Sequence, residues 1–205
     1  MTLAQQPTTQ SDNLENPALA TADGQNHGMH PYAVRREPEI VTTLLAVPQN
    51  DPKVKGFRFN GAREFKRRMQ PGETYVFRLV EGLCKDEAIL SYVSNATIDV
   101  FFMMAGTQWS DEHKAQAFGL CGLGLDLWSA YVAVDYRRVR MVALARDVYA
   151  KQVYDASIRA TVPESVRDCI DFDALALQMH NAGEIHTFRW YGEDFVITNP
   201  QDFRN

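Results

Sequence analysis

Several signals that would point to a function are missing from this chain of 205 residues. Its three cysteines, Cys84, Cys121 and Cys169, are widely spaced and form no CxxC pair, so we expect buried thiols in a reducing compartment. The longest apolar run, from Val100 to Gly106, is far shorter than the roughly 20 residues that cross a bilayer. The N-terminus lacks the basic and apolar regions of a cleaved signal peptide. These absences predict a soluble, cytoplasmic protein without membrane contact.

Motifs of catalysis and metal binding are also missing. The five histidines form no HxH, HExxH or i,i+4 pair, so no preformed metal site is expected. Neither a G-x-S-x-G elbow nor a Walker A loop occurs. Gly119, Gly122 and Gly124 have the order G-x-x-G-x-G, the reverse of a dinucleotide fingerprint. They predict the end of a helix followed by a close backbone crossing.

Positive charge is scarce in this sequence. It has 21 basic against 26 acidic residues, a net charge of −5 and a pI near 5.5. Because a nucleic-acid-binding protein usually has a basic domain or a basic face, the composition argues against nucleic acid as a partner. The negative charge leaves open a small acidic regulator, such as an inhibitor or a nucleic-acid mimic.

The N-terminal segment differs in composition from the rest of the chain. Residues 1–34 have no Lys or Arg and no aromatic residue before Tyr32. Such a polar segment buries too little apolar surface to offset its ordering entropy. The composition therefore predicts a flexible polar arm over residues 1–36 and one globular domain over residues 37–205. An inert tail, an arm that orders on a partner, and the uncleaved secretion signal of an effector remain alternatives for the arm.

Hydrophobic periodicity and turn signals predict an α+β domain with a mixed or antiparallel sheet, several helices and a C-terminal β-hairpin. The strands are expected at Glu39–Val47, Phe57–Asn60, Thr74–Val80, Glu184–Tyr191 and Asp194–Thr198, with the hairpin turn at Gly192-Glu193. The helices are expected at Gly61–Gln70, Lys85–Val93, Ser110–Cys121 and Asp171–Ala182, with a short helix from Thr161 to Cys169.

The segment from Leu127 to Ile158 has two interpretations. It contains no Pro or Gly, which allows one long helix. Its β-branched residues instead favour strands at Ala130–Tyr136 and Val139–Ala145, with a helix after Arg146. We favour the mixed interpretation, because the β-branched residues thin out beyond Asp147.

Two surface features are candidate binding sites. One is the basic cluster of the first predicted helix, formed by Arg63, Lys66, Arg67 and Arg68. It is either a solvated helix face or an anion or partner site. The other is the aromatic hairpin with Trp190 and Tyr191, because exposed aromatic residues are frequent interface anchors.

The run from Asp194 to Pro200 resembles the closing strand of ADP-ribosyltransferase-type domains, which reads roughly Glu-Tyr-Val-Val, one residue, then Asp-Pro. In that family the Glu that begins the strand stabilises an oxocarbenium-like transition state. The matching position here is Asp194, with Glu193 one residue earlier. The resemblance implies that Glu193 and Asp194 act on NAD, and His186 is a candidate base on the neighbouring strand.

These features support two main hypotheses. The first is a non-enzymatic interaction or assembly subunit that uses its N-terminal arm and an aromatic surface, with another protein or a second copy as partner and no cofactor. The alternative is an effector-type transferase that acts on NAD and needs Glu193, Asp194 and His186 to converge on one pocket.

Overall fold

The computed structural model describes residues 41–51 and 53–204. The expected N-terminal arm, residues 1–36, lies outside the described residues. The described chain is an α+β fold, as the sequence predicts, and it contains two three-stranded antiparallel sheets.

The first sheet lies in the N-terminal half and has the strand order β2-β1-β3. Its strands are β1 (Thr43–Pro48), β2 (Phe57–Phe59) and β3 (Tyr75–Glu81), and Leu44 pairs with both Phe59 and Leu79. The helix α1 (Ala62–Arg68) closes an aromatic cluster on this sheet, because the Phe65 ring packs at a tilt against Phe59 and edge-to-face against Phe77, with ring-centroid distances of 5.2 Å. These three strands and this helix lie close to their predicted places.

A group of helices follows the first sheet and shares its main hydrophobic core. The helices are α2 (Cys84–Ile89), α3 (Ile98–Met104), α4 (Asp111–Gly122) and α5 (Leu127–Asp135). The predicted cap of α4 is confirmed, since the Ser110 hydroxyl accepts a hydrogen bond from the His113 amide at 3.2 Å. The glycine cluster does end α4, but the expected backbone crossing after the helix is not at Gly119, which lies inside α4. A Cβ atom there would overlap the Phe188 ring, so the close approach is that of a side chain.

The second sheet and the remaining helices form the C-terminal half. Strand order is β4-β6-β5, with β4 at Met141–Val142, β5 at His186–Trp190 and β6 at Glu193–Ile197. The helices α6 (Arg146–Val153) and α7 (Phe172–Ala182) pack beside it around a smaller core. Asp171 caps α7 and Gly183 ends it in the left-handed region, with φ 77°.

The hairpin turn lies one residue earlier than predicted. Tyr191 and Gly192 are its central residues, with φ values of 51° and 84°. Two successive left-handed residues define the tight turn whose twist suits a β-hairpin. Glu193 is therefore the first residue of β6, paired with Trp190, and is not part of the turn.

The strand prediction at Ala130–Tyr136 is wrong, because this segment forms α5. The Asp126 carboxylate caps the helix by accepting from the amides of Trp128 and Ser129 at 2.9 and 3.0 Å. Leu127, Ala130 and Val134 then share its buried face. The strand expected at Val139–Ala145 shortens to β4, and the helix expected after Arg146 is present as α6.

Candidate binding groove

The proposed catalytic residues lie at different places on the hairpin. His186 begins β5 and pairs with Ile197, whereas Glu193 pairs with Trp190 at the other end of the same strand. Four residues of strand separate the two positions by about 13 Å. Asp194 lies on the face of the hairpin opposite to Glu193 and His186. Its carboxylate accepts two hydrogen bonds from the Arg189 guanidinium, at 2.9 and 3.1 Å. The three side chains therefore do not converge on one point.

His186 has the environment of a structural residue. Its ring stacks on His180 at 5.5 Å and on Phe188 at 5.9 Å, and its Nε2 has no hydrogen-bond partner among the described residues. Burial lowers the pKa of His186 to about 4, and the nearby charges of His180 and Arg204 add to the shift. The imidazole is consequently neutral near pH 7.

The two aromatic residues of the hairpin differ in exposure. Trp190 is only 4% exposed and packs in a small core with Ala115 and Phe195. Tyr191 is 45% exposed, although its hydroxyl donates to the Cys84 carbonyl. Only Tyr191 therefore reaches the surface that the sequence assigns to both residues.

The basic cluster on α1 is partly occupied by contacts within the fold. Lys66 forms an ion pair with Asp99. Arg68 contacts Glu64 at 3.0 Å and donates to the Arg58 carbonyl at 2.8 Å. The other two, Arg63 and Arg67, are exposed and have no ion pair among residues 41–51 and 53–204.

A groove of about 1050 Å³ lies beside α5. Its walls come from α5, from the segment 137–140 that follows it, and from the C-terminal turn Pro200–Phe203. Four arginines and no lysine line it, and the arginines are Arg137, Arg138, Arg140 and Arg204. None of the four forms an ion pair within the part of the chain that the structure describes. We call this feature the arginine groove.

The end of α5 places the first two of these arginines. The Arg137 amide donates to the Val134 carbonyl and the Arg138 amide to the Ala133 carbonyl, at 2.8 and 3.0 Å. This is the hydrogen-bond pattern of a Schellman motif, whose left-handed position glycine usually occupies. Arg137 holds that position with φ 53°, at a backbone cost of roughly 1 kcal/mol.

Asn199, near the C-terminus, holds the backbone of the segment Arg138–Arg140, which we call the arginine segment. Its side chain is 4% exposed, donates to the Arg138 carbonyl at 2.9 Å and accepts from the Arg140 amide at 2.8 Å. Between these two residues Val139 is buried in the main core. The backbone that carries Arg138 and Arg140 is thus held on both sides, although both side chains are exposed.

Two exposed aromatic residues, which we call the aromatic rim, accompany the arginine groove: Trp128 lines it, and the Tyr136 ring centroid lies 5.6 Å from the Arg138 guanidinium carbon. Trp128 is 53% exposed and Tyr136 is 67% exposed. The Trp128 ring stacks on Tyr131 at 5.9 Å, and Tyr131 stacks on Trp109 at 5.0 Å. This stack supports one face of Trp128.

Two carboxylates lie in the same walls, and hydrogen bonds within the fold already engage both. Asp126 caps α5 and also accepts from the Ser129 hydroxyl at 2.7 Å, and these bonds lower the pKa of Asp126. Asp202 accepts from the Asn199 amide group at 2.8 Å. The groove therefore combines guanidinium groups that have no ion pair among the described residues with carboxylates that are already hydrogen-bonded.

The chain matches no protein-family model, no curated protein and no solved structure. Among the described residues, no helix is long and apolar enough to cross a membrane. Within the same residues, no three His, Cys, Asp or Glu side chains are arranged to hold a metal ion. The chemistry of the groove residues is then the whole basis for a functional proposal.

Proposed function

We propose that this chain is a non-enzymatic interaction subunit that binds another protein through the arginine groove and its aromatic rim. The observation that carries the proposal is a groove with four arginines that have no ion pair among the described residues, beside the exposed rings of Trp128 and Tyr136. Trp, Tyr and Arg are the residue types that dominate the energy of protein interfaces.

The arrangement is prepared for binding before a partner arrives. The Trp128 ring already rests on Tyr131, and the backbone of Arg138 and Arg140 is held by Asn199. Ordering fewer groups at the moment of association lowers the entropic cost of binding. A rigid aromatic ring next to a fixed arginine segment therefore suits an interface anchor.

The enzymatic alternative has less support from the geometry. Its carboxylates and His186 are spread over two ends and two faces of the hairpin, and Arg189 holds the Asp194 carboxylate. NAD turnover by the full chain that disappears in Glu193→Gln would nevertheless favour this alternative over our proposal.

The test is affinity capture from a lysate of the source cells, followed by reconstitution with the purified captured protein. The wild type is compared with Trp128→Ala/Arg138→Glu, and Arg63→Glu on α1 is the control. We expect a stoichiometric complex with the wild type and the control that is lost in the groove variant. Light scattering of the purified chain detects self-assembly through the same face. A partner bound equally by all three proteins would contradict the proposal.

A further inference from the structure

The chemistry of the arginine groove indicates which kind of partner surface it accepts. We infer that the groove binds an acidic segment of a partner protein, with side-chain carboxylates on the arginines and an apolar side chain on Trp128. This inference rests on the proposed function and names the partner's chemistry.

The exclusive use of arginine is the first argument. The groove has four arginines and no lysine. A guanidinium group offers a planar fork of donors that matches the two oxygens of a carboxylate, whereas an ammonium group is a point charge. None of these arginines forms an ion pair in the described chain, so no carboxylate of the fold occupies its fork. Arg138 lies over the Tyr136 ring and Arg204 packs against Gly183, contacts that leave Arg137 and Arg140 as the least engaged of the four.

The backbone at Arg137 is the second argument. A glycine would fit its left-handed conformation without strain, and the Schellman motif would persist, because both hydrogen bonds come from backbone amides. Arginine at this position adds no ion pair within the described residues. The strained residue therefore contributes a positive charge to the groove at the expense of stability, which is a pattern associated with functional sites.

The charges of the groove walls favour a protein segment over a nucleic acid. Asp126 and Asp202 lie in the same walls as the arginines. A nucleic acid carries a phosphate charge at every nucleotide and would meet these carboxylates repeatedly. An acidic protein segment alternates charged and uncharged groups, so it can place carboxylates on the arginines and other groups beside the aspartates.

The experiment measures fluorescence polarisation of a short labelled peptide in which glutamates alternate with serines around a central leucine (the Glu peptide), titrated with the full chain. The comparison probes are the same peptide with every Glu replaced by Gln, and a single-stranded oligothymidylate of equal charge. The groove variants are Arg137→Gly and Arg138→Gln/Arg140→Gln. The control, Arg63→Gln/Arg67→Gln, removes two charges from exposed arginines of α1. All variants are checked for folding by circular dichroism.

We expect the Glu peptide to bind the wild type and the control alike, and the double groove variant to weaken binding by at least about tenfold. Binding should also weaken as ionic strength rises, because the contacts are charged. The Gln peptide should not bind.

Three results would overturn the inference. They are no binding of the Glu peptide, equal loss in the α1 control, and tighter groove-dependent binding of the oligothymidylate. If a captured protein still binds through the groove while the Glu peptide does not, the inference of an acidic partner segment is wrong and the proposed interaction function stands. If neither binds, both are wrong.

Discussion

Two basic clusters on this protein, each of four residues, have similar charge and different surroundings. On α1, Arg68 is engaged by Glu64 and by the Arg58 carbonyl, and Lys66 is engaged by Asp99. In the arginine groove, the four side chains have no ion pair among the described residues, and Asn199 holds the backbone of Arg138 and Arg140. The α1 cluster is denser in sequence, but the groove is better arranged to bind. Availability of a charge therefore depends on its neighbours in space.

The buried ion pair between Lys114 and Asp86 gives the largest contrast with both clusters. The Lys114 Nζ and Asp86 Oδ1 atoms are 2.6 Å apart, and both side chains are fully buried. Lys114 also donates a hydrogen bond to the Gly106 carbonyl. We expect Lys114→Ala to lower the free energy of unfolding by about 3–5 kcal/mol, because Asp86 is left buried without its counter-ion.

Urea denaturation of that variant checks this expectation. The control is Lys151→Ala on α6, which removes an exposed ion pair with Asp155. It should lower the free energy of unfolding by less than about 0.5 kcal/mol. A loss of under about 1 kcal/mol in Lys114→Ala would show that the buried charge is not held as the structure indicates.

Asn199 is expected to have the next largest effect. Asn199→Ala leaves the Arg138 carbonyl and the Arg140 amide without their side-chain partner, so we expect a loss of about 2–3 kcal/mol in unfolding free energy. It should also weaken binding to the Glu peptide, because the arginine segment loosens. Asn50→Ala, which removes only exposed hydrogen bonds, is the control. If Asn199→Ala binds the Glu peptide as tightly as the wild type does, the Asn199 hydrogen bonds are not needed to position the arginines for binding.

His186 predicts a pH dependence of stability. Between about pH 4 and pH 6.5 the unfolded chain binds a proton at this residue and the folded chain does not, so stability falls as the pH is lowered through this range. The loss should reach about 1–3 kcal/mol at pH 4, relative to pH 7.

His186→Asn should flatten this part of the profile, measured by urea denaturation at several pH values. Phe188→Leu on the same strand face is the control, since it should lower stability by a similar amount at every pH. An unchanged slope in His186→Asn would mean that this imidazole does not titrate as its burial implies.

The smallest expected effect is the change in unfolding free energy when an arginine is replaced by glycine, and its sign should differ between the groove and α1. Arg137→Gly should raise the free energy of unfolding by about 0.5–1 kcal/mol, because glycine relieves the left-handed strain. Arg67→Gly on α1 should lower it by a similar amount, because glycine disfavours a helix. Thermal denaturation measures both. The same sign in both variants would remove the argument that Arg137 is strained.

The sequence predicted the elements whose signals are local. The Ser110 and Asp171 caps, the Gly183 stop and the hairpin each depend on a few neighbouring residues. The strand prediction at Ala130–Tyr136 is wrong because it relied on the β-branched residues of the segment. The local signal for a helix was the capping residue Asp126, which the prediction did not take into account.

The arginine groove could not be predicted in the same way. It joins α5 and the segment 137–140 to residues 199–204, about sixty residues apart in sequence, through the Asn199 side chain. Arg137, Arg138 and Arg140 are near neighbours in the sequence, but their place beside Trp128 and Arg204 depends on the fold. The buried pair of Lys114 and Asp86 depends on the fold for the same reason.

Binding of an acidic partner segment by the groove arginines is decided by Arg137→Gly, with the melting temperature and the affinity for the Glu peptide measured on one preparation. We expect a higher melting temperature, because the strain at this residue is relieved, and a loss of affinity of at least about threefold, because a guanidinium group is lost. An affinity equal to that of the wild type, in a stably folded variant, would show that Arg137 does not contact the acidic segment.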